Sequence, residues 1–185
     1  MSTSFDAIIG GAGPTGLTMA LALAHVFNDD VQVGIVDPST GLANMRNDDP
    51  RAWAISAASV RLLDALGVWS AIAPSAQPVT RIEITDSALE AGIRPVLLSY
   101  DNETDAGEPA AYIVPNGILL GALKQAVGNR PRATIRNFEG RSIAGFQQKP
   151  QSLSVRLDNE SSIETDLIIA ADGRNSQLRT SAGIE

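Results

Sequence analysis

The chain has 185 residues, 44% of them hydrophobic and 4% aromatic, with a net charge of −7. That length suits one ordinary domain or one domain and part of a second, and the apolar share is that of a normal aliphatic core. The acidic balance argues against a nucleic-acid binder and against adhesion to anionic lipid. With no cysteine and a single histidine, His25, disulfides, thiolate metal sites, cysteine nucleophiles and His-rich metal sites drop out, so no metal is expected. Met1 to Asp6 lacks the basic region of a signal peptide, and the apolar stretch Leu17 to Phe27 is short for a bilayer span. A soluble, cytoplasmic protein is expected.

In chain order, Phe5 to Ile9 reads as a buried parallel strand running into a glycine cluster. Leu17 to Ala24 is rich in strong helix formers, and Asn28-Asp29-Asp30 ends that helix. Val31 to Val36 is a second β-branched run, closed by Asp37-Pro38. Strand, helix and strand within about 30 residues make a βαβ unit. Residues 38–53, with Pro38, Gly41 and Pro50, are polar and loop-like. Ser56 looks like the N-cap of a helix through Val60, Leu63 and Leu66 that stops at Gly67.

From Val79 the pattern changes. Residues 81–85, 95–99 and 111–114 are short strand candidates, with an acidic turn between Asp101 and Glu108. Asn116 to Gly128 reads as a helix with Leu119, Leu120, Leu123 and Val127 inward, and Asn116 suits its N-cap. Residues 133–136 and 152–157 are further strands, and 165–170 reads as another continuous buried one. The fold class is α/β. A parallel core spans 1–75 and 111–185, interrupted over 76–110 by antiparallel strands.

Gly11, Gly13 and Gly16 form GxGxxG, with Ala12, Pro14 and Thr15 between them, directly after a strand and opening a helix. In that context the first glycine makes the tight turn, the second admits a diphosphate to the backbone, and the third lets helix and strand pack closely. Amides at the helix start then face the phosphates. Asp37 stands 21 positions after Gly16, where a carboxylate accepts hydrogen bonds from an adenosine ribose and repels a 2′-phosphate. A hydride-transferring dehydrogenase would continue in regular βα repeats. The break after Asp37, with Asp172-Gly173 late in the chain, points instead to FAD.

The run Ala171-Asp172-Gly173-Arg174-Asn175-Ser176-Gln177-Leu178-Arg179 matches ADGxxSxxR. With the N-terminal GxGxxG, it makes the chain similar to the FAD-dependent aromatic hydroxylases related to p-hydroxybenzoate hydroxylase. Arg51 to Trp69 resembles the RxxALSxxSxxxLxxLGxW stretch of the ubiquinone-biosynthesis hydroxylases, and Val114 to Leu123 resembles their VxNxxLxxxL.

The resemblance implies a Rossmann-like FAD-binding core and an incomplete substrate domain. In it, Gly11 to Gly16 hold the diphosphate, Asp37 holds the ribose, Arg51 contacts FAD, and Asp172 and Gly173 form a motif tied to FAD and NAD(P)H. The implied reaction is NAD(P)H- and oxygen-dependent hydroxylation of an electron-rich ring, here a polyprenylated phenol. It names no catalytic acid or base. The family's later GD motif does not follow Asp172-Gly173. An N-terminal portion of a hydroxylase is therefore expected, exposing apolar sheet surface and inactive alone. It should bind FAD too weakly to carry a 450 nm band through gel filtration.

Other readings stay open. A reductase or halogenase could use the same scaffold, and a non-catalytic flavin module could pair with a separate chain. Peripheral attachment at the inner membrane, through an apolar substrate, also stays open. Alternatively, Arg51 is a solvated loop residue and Asp172-Gly173 a plain turn. His25, Trp53 and Trp69 read as packing residues.

Overall fold

In a computed structural model of the chain, residues 4–40 and 49–184 are described. The middle of the expected loop, including Gly41, therefore lies outside the described residues. Two compact units divide the chain. The first is Met1–Asp48 with Leu119–Glu185, and the second is Asp49–Ile118.

The first unit is built on a six-stranded sheet. Strand β1 (Ser4–Gly10) leads into helix α1 (Pro14–Val26), and β2 (Val33–Asp37) follows. The second unit then supplies β3 to β7, and helix α4 (Asn116–Gly128) begins in it and continues into the first. Strands β8 (Ile135–Glu139), β9 (Ile143–Gln148), β10 (Leu153–Leu157) and β11 (Ser162–Ala170) complete the sheet, and α5 (Gln177–Ser181) follows. The strand order is β8-β2-β1-β11-β10-β9, parallel from β8 to β11 and antiparallel beyond.

β1 has both faces covered, so its pattern is continuous rather than alternating: Ala7, Ile8 and Ile9 are all buried. Leu17, Ala20, Leu21 and Ala24 form the buried stripe of α1 at helical spacing. On the sheet, Phe5, Ile8, Val36, Val155, Leu157 and Ile163 form a cluster joining the parallel and antiparallel strands. Gly34 leaves room there, since a Cβ on it would run into Ile8 Cδ1 and lie 3.2 Å from Phe138. α1 ends where Asn28 and Asp29 take left-handed conformations, φ 51° and 63°, which short polar side chains tolerate. His25, expected to pack in the core or at the helix end, is exposed in the last turn of α1.

The second unit holds β3 (Ala52–Ser56), α2 (Ala57–Ala65), α3 (Trp69–Ile72) and a 3-10 turn over Ala73–Ser75. It also holds β4 (Gln77–Val79), β5 (Arg81–Thr85), β6 (Val96–Asp101) and β7 (Ala111–Pro115). One antiparallel sheet runs β3-β7-β4, and β5 and β6 form a separate hairpin. Ser56 caps α2, its hydroxyl accepting the Ser59 amide at 3.2 Å. Trp69 packs edge-on against Tyr112, ring centroids 5.3 Å apart.

The antiparallel excursion was placed at 76–110. In the structure β3 pairs with β7 from Ala52↔Pro115 to Ser56↔Ala111, so residues 49–75 and 111–118 join it. The second correction concerns β11. It pairs with β1 and β10 as a central strand, yet its second half is not the continuous buried run expected: Leu167 is 50% exposed. The β10 ladder ends at Thr165, so residues 166–170 pair with β1 alone, and pairing at an edge does not cover the side chains on the faces. In β6, similarly, Leu97 is 68% exposed.

Candidate dinucleotide site

The sheet topology puts a switch point where the chain leaves β1 for α1. Strand β2 lies on one side of β1 and β11 on the other, with all three pointing the same way. Connections departing on opposite sides of a strand leave a crevice at its carboxyl end, which is where open α/β sheets take ligands. Gly11 to Gly16, Asp37 and Asp172-Gly173 all follow the ends of these three strands.

Each glycine of the motif has a distinct physical reason. Gly11 has φ 106°, and a Cβ there would run into the Ala171 carbonyl. The turn is drawn against its neighbours by two hydrogen bonds of 2.8 Å, Gly11 N–H to the Val36 carbonyl and Ala171 N–H to the Gly10 carbonyl. Gly16 is buried, and a Cβ on it would collide with the Gly11 carbonyl, so only glycine lets α1 start so close to the turn. At Gly13 the situation is reversed. Among the described residues no atom lies within 4 Å of where its Cβ would be. The space beside the helix start is open, and a side chain at Gly13 would fill it.

The start of α1 suits an anion. Gly13 is the N-cap without a side-chain cap, Pro14 opens the helix, and the first turn has no acidic residue. The helix therefore presents amides whose partners are not intrahelical, at the positive end of its dipole. Open space at Gly13 and unneutralised donors fit the diphosphate of a dinucleotide.

Asp37 ends β2, half-buried. Its Oδ2 accepts the Ala12 amide at 2.6 Å and its Oδ1 the Ser39 amide at 2.8 Å. The residue expected at the ribose is thus bound to the glycine loop itself, a contact that sequence spacing does not disclose.

Asp172 follows β11, and its Oδ2 accepts the amides of Gln177 at 2.9 Å and Leu178 at 3.3 Å. Ser176 caps α5, its hydroxyl accepting the Arg179 amide at 2.9 Å. Partial burial opposes ionisation of Asp172. The Ser176 hydroxyl and the Leu178 and Gln177 amides outweigh it and hold the carboxyl below its ordinary value. Gly173 takes φ 90°, a backbone that favours glycine. The Asp and Ser of the ADGxxSxxR run therefore both build the turn into α5.

Arg51 belongs to the second unit. Its Nε and Nη2 donate to both oxygens of Asp49, at 2.6 Å for the shortest contact, and its side chain is 70% exposed. The fork pairing holds the Asp49 carboxyl well below the usual carboxylate range and raises Arg51. Asn116, read from sequence as an N-cap, is a buried clamp instead. Its Nδ2 donates to Asp49 at 2.7 Å, and its Oδ1 accepts the Trp53 indole N–H at 2.7 Å. Its backbone N–H donates to the Arg51 carbonyl at 2.9 Å. Asp49 was missed because its partner lies 67 residues away; the Asp-x-Arg spacing was the only local signal.

No described helix is long and apolar enough to cross a membrane. Among the described residues no cluster of three or more His, Cys, Asp or Glu could hold a metal.

Known proteins resemble this chain along nearly its whole length. The chain is 33% identical over 179 residues to the ubiquinone hydroxylase UbiL of Rhodospirillum rubrum, covering 97% of this chain and 39% of that protein. It is 35% identical over 189 residues to the 3-demethoxyubiquinol 3-hydroxylase of Escherichia coli, covering 96% of this chain and 43% of that protein. The chain thus spans about two-fifths of the length of these relatives. Among solved structures, the p-nitrophenol 4-monooxygenase PnpA of Pseudomonas putida superimposes with a TM-score of 0.78 at 17% identity, over 99% of this chain and 44% of that one. The flavin-dependent monooxygenase PieE, solved with FAD and substrate, gives 0.74 at 20% identity, over 98% of this chain and 32% of that one. At such identities the likeness concerns the fold. The family model described as an FAD binding domain matches residues 4–185, and the chain belongs to that FAD-binding family.

Proposed function

We propose that this chain supplies the FAD-binding part of an aromatic-ring monooxygenase acting on a polyprenylated phenol in ubiquinone biosynthesis, with NAD(P)H and oxygen as co-substrates. The observation that carries the reading is the cradle at the end of β1: a turn admitting only glycine at residues 11 and 16, open space at 13, and an uncapped helix start. The identity to two ubiquinone-pathway hydroxylases over nearly the whole chain supports the substrate class.

In this reading the amides of Gly13, Thr15 and Gly16 face the diphosphate, while Gly11, Ala12 and Pro14 shape the loop. The Gly11 and Ala12 amides are held by the Val36 carbonyl and Asp37, and Pro14 carries no N–H. Asp37 takes the ribose hydroxyls. Asp172 and Gly173 set the backbone beside Gly11. Arg51 is assigned to the cofactor by the family resemblance. Bound FAD, once reduced by NAD(P)H, supplies the oxygen activation that no side chain can, and the protein's task is orientation and exclusion of water. An apolar prenylated substrate would favour work at the inner-membrane surface.

The test uses the full-length protein with FAD, NADH or NADPH, a prenylated phenol and isotopically labelled oxygen. One labelled oxygen atom in the ring product, with stoichiometric NAD(P)H consumption, is the expected result. Anaerobic reduction of a side-chain double bond with no oxygen incorporation would assign a reductase instead.

A further inference from the structure

We infer that Asp37 positions the phosphate loop in addition to facing the sugar: its carboxylate is a bridge that fixes Ala12 beside the open space at Gly13. The inference rests on the reading of residues 11–16 as the diphosphate cradle. Each oxygen serves a different segment, Oδ2 taking the Ala12 amide at 2.6 Å and Oδ1 the Ser39 amide at 2.8 Å. The backbone around Asp37 is itself held. Gly11 N–H donates to the Val36 carbonyl at 2.8 Å, and Arg141 N–H to the Asp37 carbonyl at 3.1 Å. Gly140 N–H donates to the Ser39 carbonyl at 3.2 Å. A charged acceptor on a fixed backbone thus sets the position of an amide 25 residues earlier in the chain.

The two roles are compatible, because a carboxylate has about four lone-pair sites and the two amides use two. They are also separable. Asp37→Asn leaves one acceptor oxygen for two amide donors and turns an NH2 group toward the other amide. Ribose hydroxyls donate as well as accept, so the same asparagine can still bond to sugar. The substitution therefore strikes the loop harder than the sugar contact.

The experiment measures amide hydrogen exchange in the ligand-free full-length protein, wild type and Asp37→Asn, together with the affinities of each for inorganic pyrophosphate and for ADP. In the wild type the Ala12 amide should be protected, while the exposed Thr15 amide exchanges near the unprotected rate. In Asp37→Asn, exchange at Ala12 or Ser39 should rise about tenfold or more, with Ile9 and Ile35 unchanged. Pyrophosphate affinity should fall together with ADP affinity. Unchanged exchange at both Ala12 and Ser39, or weaker ADP binding with pyrophosphate unaffected, would overturn the bridge. Should the variant loosen Ile9 and Ile35 as well, the wild type decides alone, an unprotected Ala12 amide overturning the inference. A wild type that binds neither ligand strikes the FAD reading, and the exchange measurement still decides the bridge.

Discussion

Two parts of this molecule use the same aliphatic residues to opposite ends. In β1 and β2 every apolar side chain is buried, and Ile8, Ile9 and Val33 are fully so. In the β5–β6 hairpin, Ile84, Val96, Leu97 and Leu98 are all exposed. β1 and β2 are paired on both edges, whereas β5 and β6 pair only with each other; the larger difference is whether a second layer covers the sheet face. The lesson is that hydrophobic strand pattern identifies a surface fit to be covered, whereas the covering element decides the energy. The glycine turn after β1 sits on the covered part, where a rigid platform can hold backbone amides in place for a ligand.

That contrast can be broken by substitution. The largest effect is expected at Ile8→Ala, which empties a fully buried position against Phe5, Val36 and Val155. It should cost about 2–5 kcal/mol of stability in denaturant titration. Gly11→Ala comes next, forcing a side chain onto φ 106° and against the Ala171 carbonyl. A loss of about 2–3 kcal/mol is expected, with dinucleotide binding lost as well.

Gly13→Ala separates structure from function. Its methyl meets no protein atom, so stability should change by only about 0.5 kcal/mol. FAD or ADP affinity, measured by calorimetry, should fall about tenfold or more as the diphosphate loses its closest approach. Leu97→Ser in the hairpin should change stability by about 0.5 kcal/mol or less, since Leu97 is 68% exposed. A cost like that of Ile8→Ala would show β6 to be covered in solution.

The smallest effect concerns pH. Asp172 is held below its ordinary value of 3.8, so its contribution to stability is complete above that value and is lost as pH falls through the lower folded value. In Asp172→Asn, that part of the acid dependence should be missing from unfolding curves recorded below pH 3.8. Identical acid limbs in the two proteins would contradict the α5 cap.

How legible was this in the sequence? The βαβ start was, because Ile8-Ile9 before the glycine cluster and Leu17 to Ala24 after it leave one arrangement open to the chain. The helix from Asn116 to Gly128 was read with its observed ends. Three strands, β3, β4 and β9, were not; for the first two, Ala52-Trp53-Ala54 carries no alternation and Gln77-Pro78-Val79 offers three residues. The pairing of β3 and β4 depends on β7, more than 30 residues later. In the site, glycine spacing disclosed the turn because Gly11 and Gly16 each answer a local steric demand. The carboxylates were harder. Asp37 takes the Ala12 amide from 25 positions away and Asp49 the Asn116 side chain from 67, and only folding brings those donors to them.

The central claim is that the amides after β1 receive the diphosphate of FAD. Residue-resolved amide shifts on titration of the chain with FAD, and with ADP in parallel, test it most directly. The account requires the first and largest changes at Gly11, Ala12, Gly13, Thr15 and Gly16, followed by Asp37, at positions common to both ligands. Saturable binding of either ligand that leaves those amides unmoved would contradict it.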